Sequence, residues 1–198
     1  MISRRQVMMS LAGGLTLPAT ALLSVNALAE DAAKPILTDD GLYKQSWFLE
    51  SFLELADDLV GAARASKRFA VIWELRGCPY CKETHFVNFA RPDISSYIRQ
   101  RFDILQLNLI GAREVIDFDG EKLSEKRLAQ KYGVHYSPTF QFFPETAAGL
   151  APRKPREREV ARAQGYLEPA HFLGMFSFVA EKAYEQQTLR SYLRAKES

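Results

Sequence analysis

Two cysteines, separated by two residues at a strand–helix boundary, constrain this 198-residue chain more than any other feature. Cys78 and Cys81 are its only cysteines. The apolar run at residues 69–73 predicts a strand that is covered on both faces. Residues 82–89 are predicted to form a helix. Because two intervening residues in a first helical turn bring both sulfurs within bonding reach, we predict a disulfide between Cys78 and Cys81.

The position of the motif suggests distinct roles for the two cysteines. At a helix N-terminus the macrodipole and unpaired N–H groups favour a thiolate, so the pKa of Cys78 should be lowered and Cys78 should be the nucleophile. Cys81, one turn further in and more buried, should resolve the mixed disulfide. Pro79 is tolerated because a first-turn N–H has no helical partner to lose, and Tyr80 completes the motif. A static disulfide is the alternative, but so short a ring constrains the unfolded chain weakly.

His85 adds a metal-binding alternative. It follows Cys81 by one helical turn, so Cys78, Cys81 and His85 are spaced as ligands on one face that could hold zinc or copper. A structural zinc site needs four ligands, and the chain has no third cysteine. We therefore predict a helix-surface histidine and no metal, and a metallochaperone remains an alternative function.

The N-terminus has the pattern of an export signal. Arg4 and Arg5 precede an apolar run over residues 7–25, which ends in the small-residue pattern Ala-Leu-Ala. We predict a signal peptide over residues 1–29, cleaved after Ala29. A membrane anchor is the alternative. Residues around the arginine pair resemble a twin-arginine signal, while ordinary Sec signals also carry such pairs, so both routes stay open.

Export and charge limit the classes of partner. The predicted compartment is the periplasm, where two cysteines can cycle or rest as a disulfide. Loss of residues 1–29 removes two arginines and no acidic residue, which leaves 24 basic against 24 acidic residues and lowers the net charge from +2 to zero. A neutral protein without a basic stripe gains little from counterion release, so we expect a soluble mature form and no nucleic-acid partner.

The rest of the chain predicts one α/β domain over residues 46–198, preceded by a loose leader at residues 30–45. A strand at residues 102–107 completes a β-α-β unit, which requires a parallel pair. The other predicted elements are a helix at 47–65 capped by Ser46, a helix at 92–98, a hairpin at 113–123, a helix from Ser124 to Gly133, a strand at 139–143, an exposed loop at 144–159, a strand at 160–164 and a helix from Pro169.

A second motif, the sequence from Tyr132 to Thr139, contains Ser137 and Pro138 ahead of a strand. Together with the C-x-x-C motif it resembles the thioredoxin superfamily, in which a cis-proline before a strand faces the cysteines. The resemblance implies a thioredoxin fold, with a central mixed sheet flanked by helices in a single domain. Pro138 would be the cis-proline, followed by Thr139, and would expose the backbone of Ser137 to an extended substrate. A trans proline starting an edge strand is the alternative.

One departure from the thioredoxin pattern concerns proton transfer. The buried aspartate of thioredoxins corresponds to Ile72 here. Glu74, at the end of the same strand, is the candidate to replace it. A solvated strand-end carboxylate is the other interpretation of Glu74.

Residues 73–82 follow the order found in periplasmic thioredoxins of bacterial sulfur oxidation, the SoxW and SoxS type. This resemblance implies a reductase that acts on a disulfide or sulfur adduct of an exported partner protein. It also implies recharging by a membrane electron donor of the CcdA/DsbD type, with no cofactor besides the Cys78–Cys81 disulfide. A Dsb-type oxidase or isomerase is the alternative, although the dimerisation domain of the isomerases and the helical insertion of the oxidases have no counterpart here.

Overall fold

A four-stranded mixed sheet is the centre of the computed structural model, which describes residues 34–197. Its strand order is β4-β3-β7-β8. The strands are β3 (Arg68–Glu74), β4 (Phe102–Asn108), β7 (Thr139–Phe142) and β8 (Ala161–Gln164). β3 pairs in parallel with β4, and β7 is antiparallel to both β3 and β8. The thioredoxin fold and the mixed sheet are as predicted.

Helices and two small hairpins surround this sheet. The helices are α1 (Leu55–Arg64), α2 (Pro79–Glu83), α3 (Pro92–Arg101), α4 (Glu125–Lys131), α5 (Pro169–Ala180) and α6 (Leu189–Glu197). A π-helical segment, Thr84–Asn88, continues α2, and 3₁₀ turns occupy Pro155–Arg158 and Ala183–Glu185. The hairpins pair β1 (Ile36–Leu37) with β2 (Tyr43–Lys44) and β5 (Glu114–Ile116) with β6 (Lys122–Ser124).

The core consists of two apolar layers, one on each face of the sheet. Strand β3 supplies both, because successive side chains of a strand point to opposite faces. Ala70 and Ile72 pack against α5, while Phe69, Val71 and Trp73 pack against α1 and α4. Every residue of β3 is buried, as the apolar run predicted.

The first long helix begins later than its apolar spacing predicted. Helix α1 starts at Leu55 after the N-cap Glu54, so the predicted start at residue 47 and the Ser46 cap are wrong. The backbone turns before the helix: Leu53 has a φ of 64°, and its N–H donates to Ser51 Oγ. The apolar spacing was misleading because residues 47–54 form an irregular segment that nevertheless buries apolar side chains.

The N-terminal leader is ordered over much of its length. Residues 36–44 form the β1–β2 hairpin, and Leu42 and Gln45 are buried. The loose conformation predicted for residues 30–45 is therefore wrong for this part. The predicted signal peptide lies outside the described residues.

The charged stretch at residues 144–159 is only partly the exposed loop that was predicted. The side chain of Arg158 is buried and lies 2.8 Å from Asp117 and 2.8 Å from Asp119, with Nη1 and Nη2 as the donors. Lys131 of α4 also contacts both aspartates. This buried charge cluster joins the β5–β6 hairpin to α4 and the 3₁₀ turn.

The described residues all belong to one compact unit, residues 31–198. Over residues 34–197, no helix has the length and apolar character needed to cross a membrane.

Candidate active site

The two cysteines form a disulfide at the start of α2, where β3 ends. Cys78 is the N-cap of the helix, and the Cα atoms of Cys78 and Cys81 are 5.3 Å apart. Gly77, with a φ of 76°, makes the preceding turn in a conformation that favours glycine. Cys78 is partly exposed, whereas Cys81 is 4% exposed. The outer sulfur is thus the one that a substrate can approach.

A hydrogen bond links the outer sulfur to the helix. The N–H of Cys81 donates to Cys78 Sγ over 3.1 Å. Such a donor stabilises a thiolate at the same position when the disulfide is reduced. The geometry is consistent with the roles predicted for Cys78 and Cys81.

The second motif lies across from the disulfide. The Ser137–Pro138 peptide bond is cis, as predicted, and Pro138 is buried. The carbonyl oxygen of Ser137 lies 3.6 Å from Cys78 Sγ. Thr139 begins β7 and its hydroxyl donates to the carbonyl of Tyr136, while the N–H of Gly165 donates to the carbonyl of Pro138. The fold thus brings together two motifs that are almost 60 residues apart in sequence.

Exposed aromatic rings surround the disulfide. Tyr80, between the cysteines, stacks on Tyr166 with 6.3 Å between ring centroids. Tyr136, two residues before the cis-proline, is largely exposed. The pKa of Tyr166 is raised by partial burial and by the nearby carboxylates of Glu168 and Glu83. These rings form a partly exposed apolar surface near the reactive sulfur.

A cleft of about 300 Å³ opens on one side of the disulfide. Cys78 and Cys81 form one wall, and Leu37 and Tyr43 of the β1–β2 hairpin form another. Glu74, at the end of β3, also lines this cleft although its side chain is only 1% exposed. We call this space the hairpin cleft.

Glu74 is paired with His85 beneath the disulfide. Nε2 of His85 lies 3.1 Å and 3.0 Å from the two carboxylate oxygens of Glu74. The side chain of His85 is 0% exposed, so the predicted surface histidine is wrong, and so is a solvated Glu74. His85 is four residues after the buried Cys81, and residues so spaced share a helix face. This spacing was the sequence signal for its burial.

Two glutamines complete the cluster, and neither was predicted from the sequence. Gln45 precedes the helical part of the domain, and its Nε2 lies 3.2 Å from His85 Nδ1. Gln106 of β4 donates through Nε2 to the Glu74 carboxylate. Both are buried. They are distant from the cysteines in the chain, and only the folded sheet places them beside Glu74.

The cluster leaves His85 without a free ligand atom for a metal. Nε2 contacts Glu74 and Nδ1 contacts Gln45, so both ring nitrogens of His85 already have protein partners. Within the part of the chain that the structure describes, no three or more His, Cys, Asp or Glu side chains are grouped as metal ligands.

Comparison with known proteins identifies the family. The model of a thioredoxin-like domain matches residues 55–180. The chain belongs to the thioredoxin-like domain family. No curated protein sequence matches it. A thioredoxin-fold protein from Helicobacter pylori superposes with a TM-score of 0.54 at 20% identity, covering 67% of this chain and 85% of that one. A thioredoxin from Thermus thermophilus gives a TM-score of 0.47 at 23% identity, with 64% and 83% covered.

Membership of the family, together with the disulfide, defines the general chemistry. A thioredoxin-like fold that carries a C-x-x-C pair at a helix N-terminus is the arrangement of thiol–disulfide oxidoreductases. The thioredoxin acid position is occupied by Ile72, which is buried among apolar side chains. Any acid that serves Cys81 from the interior must therefore come from another position.

Proposed function

We propose that this protein is a periplasmic protein-disulfide reductase that uses Cys78 and Cys81 as a redox-active dithiol. The observation that carries the proposal is the Cys78–Cys81 disulfide at the start of α2, whose outer sulfur faces the backbone of Ser137 beside Pro138. A partly exposed first sulfur and a buried second sulfur suit the two successive steps of thiol–disulfide exchange.

The cycle begins with the reduced pair. The Cys78 thiolate attacks one sulfur of a substrate disulfide, a Cys78–substrate bond forms, and the other substrate sulfur leaves as a thiolate. Cys81 then loses its proton and attacks Cys78 Sγ, which releases the second substrate sulfur. The substrate gains two electrons and the protein returns to its disulfide form. A dithiol donor must reduce the pair before the next cycle.

Glu74 is the candidate to accept the proton of Cys81. Its carboxylate lines the same cleft as both sulfurs, and the cleft gives the proton a route to solvent. Ser137 and Thr139 belong to the cis-proline segment that faces Cys78, where the Ser137 backbone would pair with an extended substrate segment. Pro79 and Tyr80 lie between the two cysteines in the first turn of α2 and form the surface next to the disulfide.

The substrate that we propose is an exported protein with a reactive cysteine. The exposed rings of Tyr80 and Tyr136 suit a polypeptide better than a small charged thiol. The likeness of residues 73–82 to the SoxW and SoxS type supports a sulfur-oxidation carrier as the partner and a CcdA/DsbD-type membrane donor. Export depends on the predicted signal peptide at residues 1–29.

One observation favours the opposite direction of electron flow, as in a Dsb-type oxidase. The N–H of Cys81 stabilises a Cys78 thiolate, and stabilising the reduced form makes a pair more oxidising. The negative charge of Glu74 acts in the reverse sense, and we take it as the dominant influence because it is buried.

The experiment is insulin reduction by the mature protein, followed by turbidity with dithiothreitol as the electron source. The wild type should shorten the lag before precipitation, and Cys78→Ser should give the uncatalysed rate. Cys81→Ser should accumulate a mixed disulfide through Cys78, visible as a mass shift that dithiothreitol reverses. An equal effect of both substitutions, with no mixed disulfide, would contradict the proposal.

A further inference from the structure

The Glu74–His85 pair is a costly feature to place in a protein interior. Both side chains are almost fully shielded from solvent, at 1% and 0% exposure. Burying an ionised or polar group is costly unless it is hydrogen-bonded, and replacing both partners of a buried polar pair by apolar groups is often neutral or stabilising. The exchange cycle itself requires no histidine. Glu74 lines the cleft beside the redox disulfide, and His85 contacts Glu74. We therefore first consider a role for the pair at the redox site.

Hydrogen bonds determine which nitrogen of His85 carries its proton. Gln45 Nε2 lies 3.4 Å from the backbone carbonyl of His85 as well as 3.2 Å from its Nδ1. A carbonyl only accepts, so the group of Gln45 that faces His85 is its NH₂. Nδ1 therefore accepts a hydrogen bond, and the proton of the ring lies on Nε2. That N–H donates to the Glu74 carboxylate.

The second donor to Glu74 is oriented in the same way. Gln106 Nε2 donates to the backbone carbonyl of Tyr43 over 2.6 Å and also to Glu74 Oε2. Because the Tyr43 carbonyl can only accept, the amide nitrogen of Gln106 must face it. Glu74 thus receives N–H donors from two buried side chains, and both of its carboxylate oxygens act as hydrogen-bond acceptors.

The cluster therefore carries one net negative charge beside the cysteines. Lys82 is the other charged residue that lines the hairpin cleft, and its side chain is exposed to solvent, which screens it. A buried anion raises the free energy of a nearby thiolate much more than a solvent-exposed anion would. A destabilised thiolate shifts the equilibrium towards the disulfide and makes the dithiol a stronger reductant.

We propose that His85 is a positioning residue that holds Glu74 as an anion beneath the disulfide, and that this anion keeps the cysteine pair reducing. The inference rests on the proposed function in taking Cys78 and Cys81 as the redox pair. It adds that Gln45, from the segment before the matched family domain, fixes the imidazole tautomer on which the arrangement depends.

The test measures, for each full-length mature variant at pH 7, the equilibrium between its dithiol and disulfide forms in the presence of the glutathione couple. Glu74→Gln keeps the shape and removes the charge, so its dithiol/disulfide equilibrium constant should shift about tenfold towards the dithiol, equal to a rise of about 30 mV in reduction potential. His85→Leu removes the imidazole donor that holds the Glu74 carboxylate, and should shift the equilibrium in the same direction by a similar amount. His85→Gln, which can still donate to Glu74, should restore most of the wild-type value.

The double variant and a matched control separate this role from a structural one. Because both substitutions remove the same charge, Glu74→Gln combined with His85→Leu should shift the equilibrium no further than either alone. Asp117→Asn neutralises a buried carboxylate in the other half of the molecule, and should lower stability without moving the equilibrium. An unchanged equilibrium in Glu74→Gln, or a His85→Leu shift that adds fully to it, would overturn the proposal.

The two proposals fail separately. A wild-type equilibrium typical of an oxidase, together with the expected shifts in the variants, would reject the reductase direction and keep the role of His85. A reducing wild type whose equilibrium changes neither in Glu74→Gln nor in His85→Leu would keep the proposed function and reject this inference. Glu74→Gln is nearly isosteric, so the test survives if His85→Leu fails to fold.

Discussion

At the scale of single residues, Cys78 and Cys81 differ mainly in exposure and in their place on α2. Cys78 caps the helix and faces solvent and Ser137, whereas Cys81 is buried one turn further in. Reactivity of a cysteine follows both its thiolate content and its access. The same pair of residue types therefore supports two different roles.

This asymmetry predicts selective alkylation of the reduced protein. At pH 7 iodoacetamide should modify Cys78 at least about tenfold faster than Cys81, because only Cys78 combines access with thiolate stabilisation. Timed alkylation followed by peptide mass mapping measures both rates in one sample. Denatured protein, in which both cysteines are accessible, provides the control. Equal rates in the folded protein would contradict the assigned nucleophile.

Prediction from sequence succeeded at those residues whose signal is local. The disulfide partners and the cis-proline position follow from short motifs with fixed geometry. The prediction for His85 was wrong because a polar residue on a short helix was taken as exposed, although its spacing from the buried Cys81 indicated burial. The burial of Gln45 was missed because nothing near it in the chain marks a buried contact, and it depends on tertiary packing.

At the scale of elements, the buried charge cluster connects the β5–β6 hairpin to the rest of the domain. Asp117 accepts from Arg158 and from Tyr132, and Asp119 accepts from Arg158 and Lys131. The hairpin was predicted from its Asp-Gly turn, but its attachment was not. A run of charged residues usually faces solvent, but Arg158 of the charged stretch at residues 144–159 is buried.

Removing that arginine should destabilise the fold without affecting the disulfide. Arg158→Met leaves Asp117 buried with fewer partners, and we expect the free energy of unfolding to fall by about 3 kcal/mol. Lys122→Met, on the same hairpin, breaks an exposed ion pair with Glu114 and should cost less than about 0.5 kcal/mol. Urea unfolding of the wild type and the two variants measures both effects. Equal losses of unfolding free energy in the two variants would show that burial does not determine the cost of breaking an ion pair.

The same cluster gives the fold a defined response to acid. Burial tends to raise the pKa of Asp119, but hydrogen bonds from Lys131 and Arg158 outweigh it and hold the pKa well below its usual range. The stabilisation is therefore complete above the pKa of an unfolded aspartate, about 4, and is lost as the pH falls below it. Between pH 6 and pH 3, the urea midpoint should fall further for the wild type than for Asp119→Asn. Parallel pH profiles would contradict this assignment.

At the scale of the whole molecule, the N-terminal segment is part of the working structure. The matched family domain begins at residue 55, yet the β1–β2 hairpin before it lines the cleft beside the disulfide and supplies Gln45 to the buried cluster. The β-α-β unit and its parallel strand pair could be predicted from apolar runs. The hairpin could not, because its two-residue strands have too little pattern to stand out from a polar leader.

Removal of the hairpin should therefore affect stability and redox chemistry together. A chain that begins at residue 46 loses Leu42 and Gln45, and should be less stable than one that begins at residue 34 by about 2 kcal/mol or more, from the burial of Leu42 alone. It should also be more oxidising, since His85 loses the partner of Nδ1. Urea unfolding and glutathione equilibration test the two parts. Identical behaviour of both chains would show that the hairpin is dispensable.

The reduction potential of the Cys78–Cys81 pair tests the central claim most directly. Mature protein is equilibrated in glutathione or dithiothreitol redox buffers, quenched, and its free thiols are counted by the mass added on alkylation. We predict a value near −270 mV, in the range of reducing thioredoxins, as expected for a dithiol beside a buried anion. A value near −120 mV, typical of a disulfide oxidase, would contradict the proposed function.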